Sequence, residues 1–158
     1  MATTGKDLSA YDKGSLPDTS RMRIGLVVSQ WNHEITEALF NGAREALLDC
    51  GLDESRILKW EVPGSFELTF GCKRMIEREK PDAVVAIGSV IRGETSHFDF
   101  VCHATAAGIK DLNLQSEVPV IFCVLTDDTL QQARDRSGGR HGNKGTEAAI
   151  AAIRMAGL

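Results

Sequence analysis

The sequence predicts an α/β fold, built as a three-layer α/β/α sandwich around a four-stranded parallel sheet. Short, β-branched apolar runs alternate with longer segments in which apolar residues recur every three or four positions, as in amphipathic helices. The first run, MRIGLVVS, is apolar without alternation, which is typical of a strand covered on both faces. Strands joined through helices need crossover connections and should therefore run parallel.

Four strand and helix units follow one another along the chain. Strands are predicted at 22–29, 56–63, 82–91 and 118–125, and helices at 33–51, 65–80, 98–115, 127–137 and 145–158. The first strand, MRIGLVVS, is short and β-branched. In the helix after it, apolar residues recur every four positions from Ile35 to Leu47, and Gly51 is placed to end it. The second unit likewise has a short strand followed by a helix with helical spacing of its apolar residues.

The third and fourth units complete the pattern. The third strand is almost unbroken in its apolar character, and the helix after it places Phe98, Thr105 and Ile109 on one face. The fourth strand precedes a helix that Asp127 or Asp128 is placed to cap, and the chain closes with an Ala-rich helix. Parallel strands with helices on both faces predict a flavodoxin-like arrangement.

Length and charge limit the classes of protein to which the chain can belong. The 158 residues fit one domain, predicted at 21–158, after a polar N-terminal arm at 1–20 that is predicted to be flexible. The net charge of -4 offers no broad attraction for nucleic acid. No segment approaches the roughly 20 apolar residues of a membrane span, and the N-terminus lacks the apolar core of a signal peptide. A cytoplasmic protein without nucleic-acid or membrane partners is expected.

The four cysteines lie apart, in apolar segments, without a CxxC pair or another metal-ligand spacing. This pattern is typical of small buried thiols in a reducing compartment, and no metal site is expected. Because the net charge is negative, any bound anion must be captured by a local site.

Function is expected at the carboxyl ends of the strands, because ligands of open parallel sheets bind where those ends meet helix N-termini. The loops at these ends are SQWN (29–32), PGSFE (63–67), GSVIRGETSH (88–97) and TDD (126–128). The first three contain residue types that are unusual after an apolar strand, among them an indole, a glycine turn beside hydroxyls, and a histidine. A candidate site is predicted where these loops meet.

The RGETSH segment combines a glycine with the start of a helix. Gly93 permits close backbone approach, and the N–H groups near Glu94 and Thr95 are placed to hold a phosphate. Capping of the helix by Thr95 or Ser96 explains the same residues equally well. His97, in the first helical turn, is a candidate proton shuttle near neutral pH, although an ordinary surface histidine would look the same.

Three further groups are candidates, each with an ordinary structural alternative. Trp31, next to Asn32, could stack on a planar heterocycle or serve as a packing aromatic. Glu67 could bind a polyol or an amine, or only compensate its helix dipole, and Phe66 is predicted to point at the core. A glycine-rich stretch near the C-terminus contains the basic residues Arg134, Arg136, Arg140 and Lys144. It could clamp a phosphate or be a solvated loop, and the sequence contains neither GxxxxGK[ST] nor a GxGxxG after the first strand.

In their order along the chain, SQWN, VPGSFE, GSVIRGETSHFDFV, VPVIFCVL and GNKG resemble the lumazine synthase family. The resemblance runs from about residue 22 to the end of the chain, and VIRGETSHFDFV is its longest and most specific block. It implies an enzyme of riboflavin biosynthesis that condenses 5-amino-6-(D-ribitylamino)uracil with 3,4-dihydroxy-2-butanone 4-phosphate to 6,7-dimethyl-8-ribityllumazine. It also implies a transferase that uses no cofactor and no metal.

The resemblance implies roles for individual residues. His97 matches the proton-transfer histidine, and Arg136 matches the arginine that binds phosphate, with Lys144 as its helper. Glu67 matches the residue that binds the ribityl hydroxyls, and Trp31 matches the aromatic that stacks on the heterocycle. The other matched substrate-binding positions are Asn32, Ser65, Phe66, Ser89, Val90, Ile91, Glu94, Thr95 and Phe122.

The resemblance further implies a homo-oligomer with each site between two subunits of a pentamer. Phe122, Arg136 and Lys144 would then face the loops of a neighbouring chain. The N-terminal arm could add to a neighbour's sheet. The compact GGRHGNKG turn resembles that of relatives whose pentamers build an icosahedral shell of twelve pentamers.

Two other functions fit the same residues. A Trp-lined pocket shaped for lumazine should also accept an isoalloxazine ring, so a flavin-binding protein without synthase activity would carry the same motifs. A shell-forming carrier with a vestigial pocket would keep the assembly and lose the chemistry. Turnover of the two substrates discriminates the enzyme from both.

Overall fold

The computed structural model describes residues 7–158. The main strands are β1 (Ile24–Ser29), β2 (Ile57–Val62), β3 (Ala83–Ile91) and β4 (Val120–Asp127). The α-helices of this part of the chain are α1 (His33–Asp49), α2 (Leu68–Glu79), α3 (His97–Gln115), α4 (Leu130–Arg136) and α5 (Lys144–Ala156). The strands form one parallel sheet in the order β2-β1-β3-β4, which confirms the predicted flavodoxin-like α/β fold. Within residues 7–158, no helix is both long enough and apolar enough to cross a membrane.

Apolar side chains pack on both faces of the sheet. On one face, α1 and α5 cover Leu26, Val85 and Ile87. On the other face, α2 and α3 cover Val27 and Val84. Because successive residues of a strand point to opposite faces, a central strand must be apolar at nearly every position, and all six residues of β1 are buried. The edge strand β2 is less buried and includes Lys59 and Glu61.

The start of α4 differs from the prediction. The helix begins at Leu130, later than expected, because Asp127 continues β4. Its N-cap is Thr129 rather than Asp127 or Asp128. The Thr129 hydroxyl accepts a hydrogen bond from the Gln132 N–H (3.2 Å), and the Gln132 side-chain oxygen accepts one from the Thr129 N–H (3.1 Å). Reciprocal capping of this kind satisfies two backbone donors at once, which a single aspartate would not do.

A small antiparallel hairpin joins α4 to α5, where the sequence predicted only a loop. It consists of β5 (Ser137–Gly139) and β6 (Gly142–Asn143). Gly138 and Gly142 have positive φ angles of 118° and 81°, a conformation that glycine adopts without strain. Asn143 then caps α5, since its side chain accepts a hydrogen bond from the Gly145 N–H (2.8 Å).

The described part of the N-terminal arm, residues 7–20, lies against the domain. The Tyr11 hydroxyl donates to the Asp49 carboxylate at the end of α1 (2.5 Å). The Thr19 hydroxyl donates to the Cys50 carbonyl (2.6 Å). The first six residues of the predicted arm lie outside the described residues, and the flexibility of the arm stays a prediction.

The four cysteines are free thiols. Cys72 and Cys123 are buried, whereas Cys50 and Cys102 are half-buried. Burial raises the pKa of Cys123 to about 12 and raises that of Cys72 as well. Both buried thiols are therefore protonated at neutral pH and serve as small apolar packing groups.

Candidate active site

The carboxyl ends of β1, β2 and β3 lie at one end of the sheet, and the loops that follow them enclose a cavity of about 490 Å³. It is lined by Trp31, Gly64, Ser65, Phe66, Glu67, Val90, His97 and Val101. A neighbouring cavity of about 210 Å³, at the start of α3, is lined by Trp31, Val90, Ile91, Gly93, Thr95, His97, Phe98 and Val101. The two cavities share several walls and are called here the His97 cleft. The three loops predicted to form a site do meet.

Trp31 lies at the mouth of the cleft and is 73% exposed. Its backbone N–H donates to the Pro63 carbonyl (3.1 Å), which joins the loops after β1 and β2. Asn32 adopts a left-handed conformation (φ 58°), and its side-chain amide donates to the Ser89 carbonyl (2.9 Å). The amide of Asn32 thus ties this loop to the end of β3, while the exposed indole keeps a face available for stacking on a planar ligand.

The prediction that Phe66 points at the core is wrong, because Phe66 is 60% exposed and lines the cleft. The reason is that α2 begins at Leu68, which takes the buried position, whereas Phe66 lies in the turn before the helix. Glu67 also lines the cleft, and its side chain makes no capping hydrogen bond. Ser65 is buried, and its hydroxyl has no hydrogen-bond partner among residues 7–158.

The end of β3 contributes two consecutive residues to the cleft. Val90 lines both cavities, and Ile91 lines the smaller one. Ser89 lines neither, because it lies two residues before the end of the strand and is only 2% exposed. The hydroxyl of Ser89, like that of Ser29, is buried without a partner in the described part of the chain. The backbone carbonyl of Ser89 accepts the hydrogen bond from Asn32, in the loop after β1.

His97 is the first residue of α3 and lines both cavities. Its backbone N–H donates to the Thr95 hydroxyl over a long 3.4 Å, and the N-cap Ser96 makes no side-chain capping bond. Helix capping is therefore a weak explanation of these hydroxyls. His103, on the same helix, differs from His97 because its Nδ1 contacts the Asp99 carbonyl (2.7 Å) and it lines neither cavity.

Arg92 holds the loop between β3 and α3. Its Nε donates to Asp128 (2.8 Å) and its Nη2 to Asp99 (3.2 Å), while the guanidinium lies 4.2 Å from the centre of the Phe98 ring. Exposed ion pairs contribute about 0–1 kcal/mol each, so their main effect here is to fix the direction of the loop. Beside Arg92, Gly93 has no atom within 4 Å of the position a Cβ would occupy, which leaves its backbone open to a ligand.

Other predicted residues lie outside the His97 cleft. Glu94 is exposed in the loop beside it, and Phe122 is 38% exposed on the edge strand β4. Arg136 and Lys144 line a separate cavity of about 320 Å³, called here the cationic cavity. Its other walls are Leu8, Val124, Leu125, Thr126 and Asp127. One chain thus holds the histidine and the two cations in different cavities.

Both cations of the cationic cavity have partners within the chain. Arg136 donates through Nη1 to the Gln132 carbonyl (3.1 Å) and lies 3.8 Å from Oδ1 of Asp127. Lys144 lies 2.7 Å from the carboxylate of Glu147. Asp127 is only 8% exposed, and its Oδ2 has no hydrogen-bond partner among the described residues. Burial raises the pKa of the Asp127 carboxyl, and Arg136 offsets part of this rise.

We expect Asp127→Asn to raise the free energy of unfolding at pH 7 by about 1 kcal/mol, because the amide avoids the cost of burying a charged carboxylate. The unfolded carboxyl has a pKa of about 3.9, and the folded one is higher, so the parent loses stability as the pH rises through this window. The gain should therefore vanish below about pH 4. Urea unfolding of both proteins at pH 4 and pH 7 measures it. A variant that is less stable than the parent at pH 7 would contradict this prediction.

Sequence reasoning missed two lining residues. Val101 lies one helical turn after His97, and this spacing on a predicted helix is the signal that could have found it. Leu8 reaches the cationic cavity from the N-terminal arm, and no local pattern indicates that contact. Within residues 7–158, no three His, Cys, Asp or Glu side chains are grouped so as to hold a metal ion.

Comparison with known proteins adds to this geometry. The family model described as 6,7-dimethyl-8-ribityllumazine synthase matches residues 21–158. A protein of that name from Flavobacterium johnsoniae is 61% identical over 99% of this chain and 82% of its own length. Those of Flavobacterium psychrophilum and Christiangramia forsetii are each 60% identical over 100% of this chain, and over 84% and 95% of their own lengths. The chain belongs to the 6,7-dimethyl-8-ribityllumazine synthase family.

Proposed function

We propose that the chain is an enzyme of riboflavin biosynthesis that condenses 5-amino-6-(D-ribitylamino)uracil with 3,4-dihydroxy-2-butanone 4-phosphate, giving 6,7-dimethyl-8-ribityllumazine, inorganic phosphate and water. The observation that carries this proposal is the His97 cleft. An imidazole that makes no hydrogen bond within residues 7–158 lies beside the exposed Trp31 ring and the start of α3. The larger cavity, at about 490 Å³, has the size of a typical small-molecule site.

Each step of this condensation moves protons. The primary amine of the pyrimidine attacks the ketone, and water leaves as the imine forms. Phosphate is then eliminated, and the ring closes with loss of a second water. His97 lies where the two cavities meet and is the side chain best placed to take and return these protons. The scheme needs no cofactor and no metal, and it makes the enzyme a transferase.

Different residues of the cleft would bind different parts of the two substrates. Trp31 and Phe66 expose their rings to the larger cavity and would hold the pyrimidine by stacking. Glu67 lines the same cavity and would accept hydrogen bonds from the ribityl hydroxyls. The smaller cavity includes Gly93 and Thr95 at the N-terminus of α3, where backbone N–H groups and the helix dipole favour a phosphate.

A complete site would require a second chain. The dipole of a helix contributes only about 0.3–1 kcal/mol to anion binding at an exposed position. A phosphate therefore needs cations as well, and Arg136 and Lys144 line the other cavity. We propose that the cationic cavity and Phe122 of one chain face the His97 cleft of the next chain in a pentamer.

Exposed apolar side chains support an assembly through α2 and α3. Phe66, Phe70, Phe100 and Leu114 are 60%, 68%, 73% and 77% exposed. They lie on the outer side of the layer that α2 and α3 form, and β4 is the edge strand nearest to the cationic cavity. Several large apolar side chains left exposed on neighbouring elements are typical of an interface between subunits.

We also propose how the pentamers assemble and in which compartment the enzyme works. The compact hairpin between α4 and α5 supports an icosahedral shell of twelve pentamers, because a short connection limits how far these two helices can splay apart. In the assembly, the N-terminal arm would contact a neighbouring chain in addition to its own domain. The enzyme would work in the cytoplasm.

We expect Phe70→Glu to weaken the proposed assembly by about tenfold or more, because it buries a charge in an apolar contact. Sedimentation velocity over a range of protein concentrations measures this. Leu158→Glu is the matched control, because Leu158 is also an exposed apolar residue (98%) but lies at the end of the chain. A Phe70→Glu protein that keeps the parent's mass at every concentration would contradict the interface.

The proposed reaction is tested by mixing the purified protein with the two substrates. Lumazine fluorescence and released phosphate are followed together, and the proposal predicts one phosphate per lumazine. An assembled protein that forms no product but binds riboflavin would favour the flavin-binding alternative. An assembled protein that does neither would favour a carrier shell.

A further inference from the structure

The hairpin β5–β6 sets the distance between the two cations of the cationic cavity. Arg136 is the last residue of α4 and Lys144 the first residue of α5, so the hairpin is the whole connection between them. Its two strands pair with an irregular register, and three of its residues are glycines: Gly138, Gly139 and Gly142. A short two-stranded hairpin of this kind is marginally stable by itself.

The N-terminal arm supplies the contacts that the hairpin lacks. The Leu8 N–H donates to the His141 carbonyl (2.9 Å), and the Ser9 hydroxyl accepts from the Asn143 N–H (2.9 Å). The arm lies directly on Gly142, since a Cβ there would be 2.8 Å from the Ser9 nitrogen and 2.9 Å from the Leu8 nitrogen. The hairpin is therefore clamped between the arm and the domain.

The same stretch of the arm also reaches the cations themselves. Leu8 lines the cationic cavity together with Arg136 and Lys144. An apolar wall beside two charged groups restricts their rotamers and limits their solvation, which strengthens their attraction for an anion.

The other end of the arm is held independently of the hairpin. Tyr11 and Lys13 both contact the Asp49 carboxylate, at 2.5 Å and 2.6 Å. Lys13 and then Tyr11 hold the pKa of Asp49 below its usual value, so the carboxylate is ionised at neutral pH. The arm is thus anchored to the domain at residues 11–13, and residues 7–9 form a strap that extends from this anchor over the hairpin.

We infer that residues 7–9 are positioning residues for phosphate binding, because they hold the hairpin so that Arg136 and Lys144 stay at a fixed spacing. This inference rests on the proposed function in one respect, namely that these two cations bind the phosphate of the substrate. It adds that a segment more than 100 residues away in the sequence sets their geometry.

The test compares two deletions and one substitution. Deletion of residues 2–9 removes the strap contacts, deletion of residues 2–6 retains them, and Ser9→Ala removes only the acceptor for the Asn143 N–H. We expect the 2–9 deletion to raise the KM for 3,4-dihydroxy-2-butanone 4-phosphate by about tenfold, the loss typical of one or two hydrogen bonds. The KM for the pyrimidine and kcat should stay within about twofold, and Ser9→Ala should show a smaller rise of the same kind.

Two readouts do not require turnover. Inorganic phosphate, used as the probe, should bind the 2–9 deletion about tenfold more weakly than the parent. Amide hydrogen exchange of residues 138–143 should become faster in that deletion and stay unchanged in the 2–6 deletion. Sedimentation velocity verifies that all variants keep the parent's assembly.

The outcomes separate this inference from the proposed function. Faster hairpin exchange with an unchanged KM and unchanged phosphate binding would overturn the positioning role. Unchanged exchange in the 2–9 deletion would overturn the strap itself. A parent protein that binds no phosphate in the cationic cavity would overturn the proposed role of the two cations, and with it the positioning of a phosphate site.

Discussion

His97→Ala is expected to lower kcat by about 10² to 10⁴-fold, the usual contribution of a positioned acid or base. The imidazole lines both cavities of the cleft and makes no hydrogen bond within the described residues, so no structural contact should be lost. Because proton transfer accompanies imine formation, phosphate loss and ring closure, the effect should fall on turnover and leave substrate binding nearly unchanged. Steady-state kinetics of lumazine formation measures it.

His103→Ala is the matched control for this variant. It removes an exposed imidazole from the same helix, but one that contacts its own backbone and lines neither cavity. We expect its kcat to stay within about twofold of the parent, as for most surface substitutions. Equal kinetics of His97→Ala, His103→Ala and the parent would overturn the assignment of His97.

Arg136→Ala is expected to raise the KM for the phosphate-bearing substrate by about 10 to 100-fold, because it removes hydrogen bonds between charged groups. The KM for the pyrimidine should change little, since Arg136 does not line the His97 cleft. Initial rates with one substrate varied at a time separate the two constants. Phosphate inhibition of the same variant should weaken in parallel.

Arg134→Ala is the control, two positions earlier in the chain. Arg134 pairs with Glu34 (2.7 Å), is exposed, and lines none of the cavities described above. If both arginine variants raise the same KM equally, the effect comes from the overall charge of this surface, and Arg136 has no specific role. If Arg136→Ala lowers kcat with both KM values unchanged, the arginine acts on the chemical step instead.

The fold was predictable because its signals are local. A strand covered on both faces must be apolar throughout, as β1 is, and the change to a period of four marks α1 unambiguously. The start of α4 was less predictable. Three polar residues in succession, Asp127, Asp128 and Thr129, are all good caps. The pairing of β4 with β3 takes Asp127 into the strand, and the capping box with Gln132 selects Thr129 over Asp128.

The candidate site was predictable in its loops and less so in its side chains. Phe66 was misplaced because its direction depends on where α2 begins, and Ser89 lines no cavity because it lies buried two residues before the end of β3. The contact between Ser9 and Asn143 joins residues 134 positions apart. No local pattern can indicate such a contact, so the sequence gives no sign of the role of Leu8.

The separation of the His97 cleft from the cationic cavity has a genetic consequence. If neighbouring chains combine these cavities, each polypeptide serves two catalytic centres, one with its histidine and one with its arginine. A cell with two defective alleles, one without His97 and one without Arg136, would then assemble some mixed pentamers. In these, the intact His97 cleft of one chain can meet the intact cationic cavity of the next. Two null alleles could therefore complement each other. A polypeptide that carries both substitutions would instead inactivate two catalytic centres of its pentamer, because it contributes a defective cavity to each.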